Sequence, residues 1–200
     1  RACAQLGVKK VRLTGGEPML RRDLIEIISG IRSIKGIREI TMTTNAQHLP
    51  GQSAALKAAG LDRINISVDS LRPERYAEIT GGGSLEKVLT GIEEALAAGF
   101  SPIKLNAVLL RGVNDDEADD FIALTKDRPI HIRFIEYMPM GDSDQADLRV
   151  TGRAARRAAI SGIFAAAVSQ PAFAGLPPAG RGGAGGSHQP RFAPVLLALQ

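Results

Sequence analysis

The stretch VRLTGGEP, residues 11–18, decides how this chain is read. Side chains alternate along a strand, so Val11 and Leu13 fall on one face while Arg12 and Thr14 fall on the other. A parallel strand covered on both sides should be apolar on both faces. This one is not. It runs directly into Gly15 and Gly16, backbone without side chains, then Glu17 and Pro18. The stretch predicts a half-polar strand that brings a cation and an open turn to one place.

The same split recurs downstream. In EITMTTN, Ile40 and Met42 oppose Thr41, Thr43 and Asn45, and in RINISVD, Ile64, Ile66 and Val68 oppose Asn65, Ser67 and Asp69. IKLNAV puts Lys104 and Asn106 together, and IRFIEYM puts Glu136 and Met138 together. Strands are expected near 9–14, 38–44, 62–68, 102–109 and 130–136. Helical stretches lie between them, at 22–34, 51–59, 73–79, 84–98 and 115–126. Repeated strand–helix units of this size predict an α/β fold with a parallel sheet. Pro73 suits a first helical turn, Asn114 with Glu117 has capping-box spacing, and Gly60 and Gly99 sit where left-handed caps end helices.

Five strands with polar faces argue against a dry barrel interior, because each unpaired buried polar group costs about 1–3 kcal/mol. The economical fold is a partial, incomplete βα barrel of about five parallel strands, whose polar lumen holds a polar ligand. Sites in such barrels open at the C-terminal ends of the strands. With Arg12 and Lys104 pointing inward, an anion such as a phosphate chain is the natural guest. The same residues also permit a duller arrangement, with Arg12 and Lys104 paired to Asp69 and Glu136 and with Met138 as core filler. His131 reads as structural, and Gly81–Gly83 as a flexible loop rather than a phosphate cradle.

Composition narrows the classes. Of 200 residues, 44% are hydrophobic, enough for a core. Leu148–Gln200 holds six arginines and no Lys, Asp or Glu; removing these from the 25 basic and 21 acidic residues leaves 19 and 21 in residues 1–147. The excess positive charge therefore belongs to the last quarter, and the rest carries no nucleic-acid footprint. The scattered arginines of that quarter, without interleaved aromatics, do not read as a nucleic-acid arm either. No run of about 18 apolar residues suggests a membrane span, and the expected location is the cytoplasm. Cys3 is the one cysteine and reads as a buried structural thiol. Residues 1–145 are expected to form the barrel domain. Residues 146–200, rich in Gly, Pro and Ala, are expected to be a low-complexity, disordered tail or the product of a shifted reading frame.

VRLTGGEP, TTN, RINISVDSL, IKLNAVLLRGVND and IRFIEYMPMG stand in the order and spacing of the radical S-adenosylmethionine GTP 3′,8-cyclases, the family the chain resembles over about residues 1–144. These enzymes begin molybdenum-cofactor biosynthesis. The resemblance implies that Gly16, Ser67 and Met138 bind S-adenosylmethionine and that Arg12, Thr43 and Lys104 bind GTP. It implies a reaction in which a 5′-deoxyadenosyl radical takes hydrogen from C3′ of GTP, which then bonds to C8. It assigns no catalytic residue in this chain, and brings homodimerisation only as a family trait. The family holds its [4Fe-4S] clusters with a Cys-x3-Cys-x2-Cys loop and a C-terminal cysteine trio. Neither set is in this sequence, and Ala46 replaces the usual Gly after TTN. The expectation is a cyclase sequence truncated at both ends and without turnover by itself, with strand 9–14 as an aggregation-prone edge. Another radical S-adenosylmethionine branch and a non-catalytic nucleotide-binding module are the rival readings.

Overall fold

A computed structural model describes residues 1–138, 148 and 150. Five parallel strands form one sheet in the order β1-β2-β3-β4-β5. They are β1 Lys10–Leu13, β2 Glu39–Thr44, β3 Arg63–Ser67, β4 Ile103–Leu109 and β5 Ile130–Glu136. After the short α1 (Ala2–Gln5), each connection between strands carries helix: α2 (Leu24–Arg32), α3 (Ser53–Ala58), α4 (Pro73–Thr80) with α5 (Leu85–Ala97), and α6 (Ala118–Ala123). All five expected strands and the helical stretches are therefore present. The sheet is open, with β1 and β5 at its edges. The expectations for the tail lie outside the described residues.

One face of the sheet is the core. Ile40, Met42, Ile64, Ile66, Ile103, Leu105 and Ala107 are fully buried against Leu24, Ile28, Leu56, Val88, Ile92 and Phe121 of the helices. Full burial of an Ile or Leu side chain stabilises by about 1.5–3 kcal/mol, so this face holds the helices down. Glycines at the helix ends let the chain turn back. Gly60 has φ +104°, and a Cβ there would meet the Arg32 side chain at 2.8 Å. That close approach lets the Arg32 guanidinium donate to the Gly60 carbonyl at 2.6 Å and pair with Asp62, which also accepts from the Ile40 N–H at 2.7 Å.

Four local expectations are corrected. Asn114 and Glu117 do not form a capping box: Glu117 is fully buried and turned towards Ser70 and Arg75, 47 and 42 residues away in sequence. Cys3 is exposed, because α1 buries none of its residues. The Gly81–Gly83 run is a helix cap rather than a flexible loop, with the Gly82 N–H donating to the Ala77 carbonyl at 2.7 Å and the Gly83 N–H to the Thr80 hydroxyl at 3.0 Å. The fourth is the facing of β5. Register pairs Lys104 with His131, Asn106 with Arg133 and Leu109 with Glu136. Glu136 therefore falls in the alternation of the apolar face, where Phe134 packs edge-to-face on Phe121 at 6.0 Å, and the polar face of β5 belongs to His131 and Arg133.

Candidate functional site

The other face of the sheet carries polar side chains from every strand. Cross-strand register aligns Arg12 with Thr41, Thr41 with Arg63, Thr43 with Asn65, Asn65 with Lys104, Ser67 with Asn106, and Asn106 with Arg133. Parallel partners point the same way, so these residues share one surface. Of the residues expected to bind ligands, Arg12, Thr43, Ser67 and Lys104 lie on it. Gly16 lies in the turn after β1. Met138 is two residues past the end of β5 and 60% exposed, not core filler.

Charge is distributed unevenly over this surface. At the N-terminal edge Glu39 accepts from Lys10 at 2.8 Å and pairs with Arg63 at 3.0 Å; the Lys10 hydrogen bond is the main reason its pKa is lowered. Above it the cations have no such partner. Among the described residues, Arg12, Lys104 and Arg133 form no ion pair. Burial, then the neighbouring charges of Arg133, Arg63 and Arg12, lowers the pKa of Lys104. The internal ion-pair alternative fails at both acids: Asp69 accepts from the Val108 N–H at 2.8 Å instead, and Glu136 falls on the other face of the sheet. Burial raises the Asp69 pKa, partly opposed by that N–H. Three cations on one surface without a bound acid are an arrangement suited to a polyanion.

Sequence reasoning missed Arg63 and Arg133. Arg63 was legible, since it shares the parity of Asn65 and Ser67. Arg133 was not, because IHIRFIE alternates acceptably in either facing and only pairing with β4 decides between them.

At the C-terminal rim, Glu17 fastens the Gly-Gly turn to the end of β2. Its carboxylate accepts from the Met19 N–H at 3.0 Å, the Thr44 hydroxyl at 2.6 Å and the Asn45 N–H at 2.7 Å. Gly15 has φ +147°, and the positions where a Cβ would stand on Gly15 and Gly16 have no atom within 4 Å. The turn therefore shows bare backbone to open space at the end of β2. Ala46, just beyond, is buried with φ 59°. That is a conformation glycine takes without strain, which explains why a Gly suits the position.

The rims of β3 and β4 are tied together by buried side chains. Asn114 donates to the carbonyls of Asp69 at 2.6 Å and Val108 at 2.8 Å and accepts from the Leu110 N–H at 2.6 Å. Glu117 accepts from the Ser70 hydroxyl at 2.8 Å, the Leu71 N–H at 2.6 Å and Arg75 at 2.5 Å. These bonds hold the loop that follows Ser67.

A half-covered parallel sheet with a Gly-Gly-Glu-Pro rim turn has counterparts among known proteins. The family model of the radical SAM superfamily matches residues 1–125. The chain belongs to the radical SAM superfamily. Within it, the chain is 54% identical over 145 residues to the GTP 3′,8-cyclase of Alkaliphilus oremlandii, covering 72% of this chain and 45% of that protein. It is 57% identical over 137 residues to the GTP 3′,8-cyclase of Listeria welshimeri, covering 68% of this chain and 41% of that one. The chain thus spans less than half the length of these relatives. Among solved structures, SuiB of Streptococcus suis bound to S-adenosylmethionine superposes with a TM-score of 0.65 at 17% identity, over 82% of this chain and 39% of that one. A radical SAM methyltransferase from Sphaerobacter thermophilus gives 0.60 at 16% identity, over 78% of this chain and 49% of that one. These two share the fold.

The superfamily implies S-adenosylmethionine and an iron–sulfur cluster. The open backbone at Gly15–Gly16, held at the end of β2 by Glu17, fits the first. The cluster does not fit this sequence: such clusters take several cysteine thiolates, the sequence has Cys3 alone, and among the described residues no three His, Cys, Asp or Glu side chains converge. Among the described residues no helix is long and apolar enough to cross a membrane.

Proposed function

We propose that the polar face of this sheet binds GTP and S-adenosylmethionine side by side, as the working wall of a GTP 3′,8-cyclase, and that the polypeptide of this sequence binds without turning over. The observation that carries the reading is the set of cations, Arg12, Lys104 and Arg133, that share the face and carry no ion pair among the described residues. A triphosphate supplies the missing negative charge. Each charge-assisted hydrogen bond to it contributes about 1.5–3 kcal/mol. Thr43, on the neighbouring strand, offers a hydroxyl for the nucleoside, and its weak contact from Asn65 at 3.4 Å leaves that hydroxyl available.

S-adenosylmethionine would lie at the rim, on the backbone of Gly16, against Ser67 and under Met138. It would be the source of the superfamily's organic radical only on receiving an electron from a reduced iron–sulfur cluster, for which this chain has no ligand set among the described residues. The chain's own part is to hold the two molecules in a fixed relation and keep water from between them. Glu17 would keep the Gly16 backbone in place for that contact, through its three hydrogen bonds across the rim. With one thiol in the sequence, no step through a cluster is assigned to this polypeptide. Residues 1–145 would be the ligand-binding domain, acting in the cytoplasm on GTP and not on nucleic acid. Homodimerisation enters this proposal only as a trait of the family that the sequence resembles.

Isothermal titration of the whole chain with GTP tests the reading. Saturable binding is expected, and Arg12→Ala is expected to weaken it about tenfold or more, the loss of one charge-assisted contact. Binding that Arg12→Ala and Lys104→Ala leave unchanged would put the nucleotide elsewhere. After anaerobic iron–sulfur reconstitution, any cyclisation of GTP by this polypeptide would overturn the assignment of binding without turnover.

A further inference from the structure

On the helix side of the same rim lies a second concavity, a cleft of about 490 Å³. It sits between the turn at Met19–Arg22, the start of α2, the loop after β2 and the first turn of α5. Met19, Ile25 and Pro50 line it with half-buried apolar side chains, above Leu24 and Leu56 of the core. Arg21, Arg22, His48 and Lys87 line it. Arg21 is engaged by Asp23 in two hydrogen bonds, at 3.0 and 2.7 Å. Among the described residues Arg22, His48 and Lys87 form no ion pair, and no carboxylate lines the cleft. None of the polar-face residues reaches it.

We propose that this cleft is a binding site for a small phosphorylated organic anion, separate from the nucleotide face. Its volume is that of a small-molecule site, and such sites combine an apolar lining with a few convergent polar groups. Arg22 and Lys87 face it from different elements, so an oxyanion between them would be held from two sides, while the half-buried Met19, Ile25 and Pro50 take an apolar body. Guanidinium and ammonium groups bind phosphate through charge-assisted hydrogen bonds. The cleft is joined to the nucleotide face through two loops. Met19 follows the Gly-Gly-Glu-Pro turn, His48 follows Asn45, and Glu17 ties both loops together through the Met19 and Asn45 N–H groups. An anion in the cleft would brace the loops that present Gly16 and Thr43.

Phenyl phosphate is the probe, titrated calorimetrically into the whole chain and into two double variants, with inorganic phosphate as the reference ligand. Saturable binding is expected, tighter for phenyl phosphate than for inorganic phosphate. With saturating GTP occupying the sheet face of the parent, Arg22→Ala with Lys87→Ala is expected to weaken it about tenfold or more, while Arg12→Ala with Lys104→Ala, which removes phosphate contacts of the sheet face alone, leaves the affinity of the cleft in place. Arg22 and Lys87 are exposed, so their removal leaves the core intact. Absence of saturable binding would overturn the site. So would binding lost in the Arg12/Lys104 variant and kept in the Arg22/Lys87 variant, which would place the anion on the sheet. Equal affinity for the two phosphates would overturn the organic ligand.

Discussion

At Lys104, the proposed contact with GTP and the stability of the fold pull in opposite directions. Burial and the charges of Arg133, Arg63 and Arg12 lower its pKa from 10.5. Between the lowered value and 10.5 the unfolded chain binds more protons than the native one, so stability rises with pH across that window. Lys104→Gln is expected to raise the ligand-free midpoint of thermal unfolding and to remove most of the rise that GTP produces, both read by scanning fluorimetry. A fall in the ligand-free midpoint would mean the ammonium is stabilised rather than repelled. Asp69 is the acidic counterpart. Its pKa is raised above 3.8 by burial, so the native state holds the proton more tightly, and stability falls as pH rises from 3.8 through the raised value. Asp69→Asn keeps an oxygen for the Val108 N–H without the buried charge. It is expected to be more stable than the parent at neutral pH and no more stable in acid, below both values. Asp69→Ala, which orphans that N–H, is expected to lose about 1–3 kcal/mol. Urea denaturation in the two pH ranges measures both. That Asp69 faces a polar surface was legible from its parity; that its carboxylate serves β4 was not, because Val108 is 39 residues away.

At the scale of elements, two acids that bind the same arginine should differ sharply. Glu117 is fully buried and Asp116 has a side chain 49% exposed, yet both accept from Arg75, at 2.5 and 2.6 Å. Removing Glu117 takes the acceptor from the buried Ser70 hydroxyl and from the Leu71 N–H, at about 1–3 kcal/mol each, whereas exposed pairs contribute about 0–1 kcal/mol. Glu117→Ala is therefore expected to destabilise several times more than Asp116→Ala in equilibrium unfolding; equal losses would count against the buried anchor. Glu17 makes a more local prediction. Glu17→Ala leaves the Met19 and Asn45 amides without their acceptor, so amide hydrogen exchange should quicken at those two positions and leave β3 unchanged. Uniform exchange rates in parent and variant would show that the Gly-Gly turn is held by something else. The elements themselves were legible because their periods are local: two for the strands, 3.6 for the helices. The anchors between them were not, since a capping-box spacing and a long-range tether look alike until the chain folds, as Asn114 and Glu117 show.

For the whole molecule, the decisive property is the sidedness of the sheet. Helices cover the face of Ile64, Ile66 and Leu105, and the face of Arg12, Thr43, Ser67 and Lys104 is left for polar ligands. Because those cations are partly exposed, salt should screen them over a Debye length of about 8 Å at physiological ionic strength. GTP affinity is thus expected to fall steeply between low and high salt, while thermal stability without ligand changes little; a salt-independent affinity would argue for an uncharged mode of binding. The sequence by itself determined the strands, their parallel arrangement, the polar face and most of the residues on it, because alternation along a strand is a property of a few neighbouring residues. It also determined the resemblance to the cyclases, through five motifs in fixed order. Only the tertiary structure decided the facing of β5, which made Arg133 part of the cationic surface and took Glu136 from it. It also decided the exposure of Cys3 and the buried tethers of Asn114 and Glu117. Each depends on which strand or loop lies alongside, and that pairing is fixed by hydrogen bonds between segments far apart in the chain.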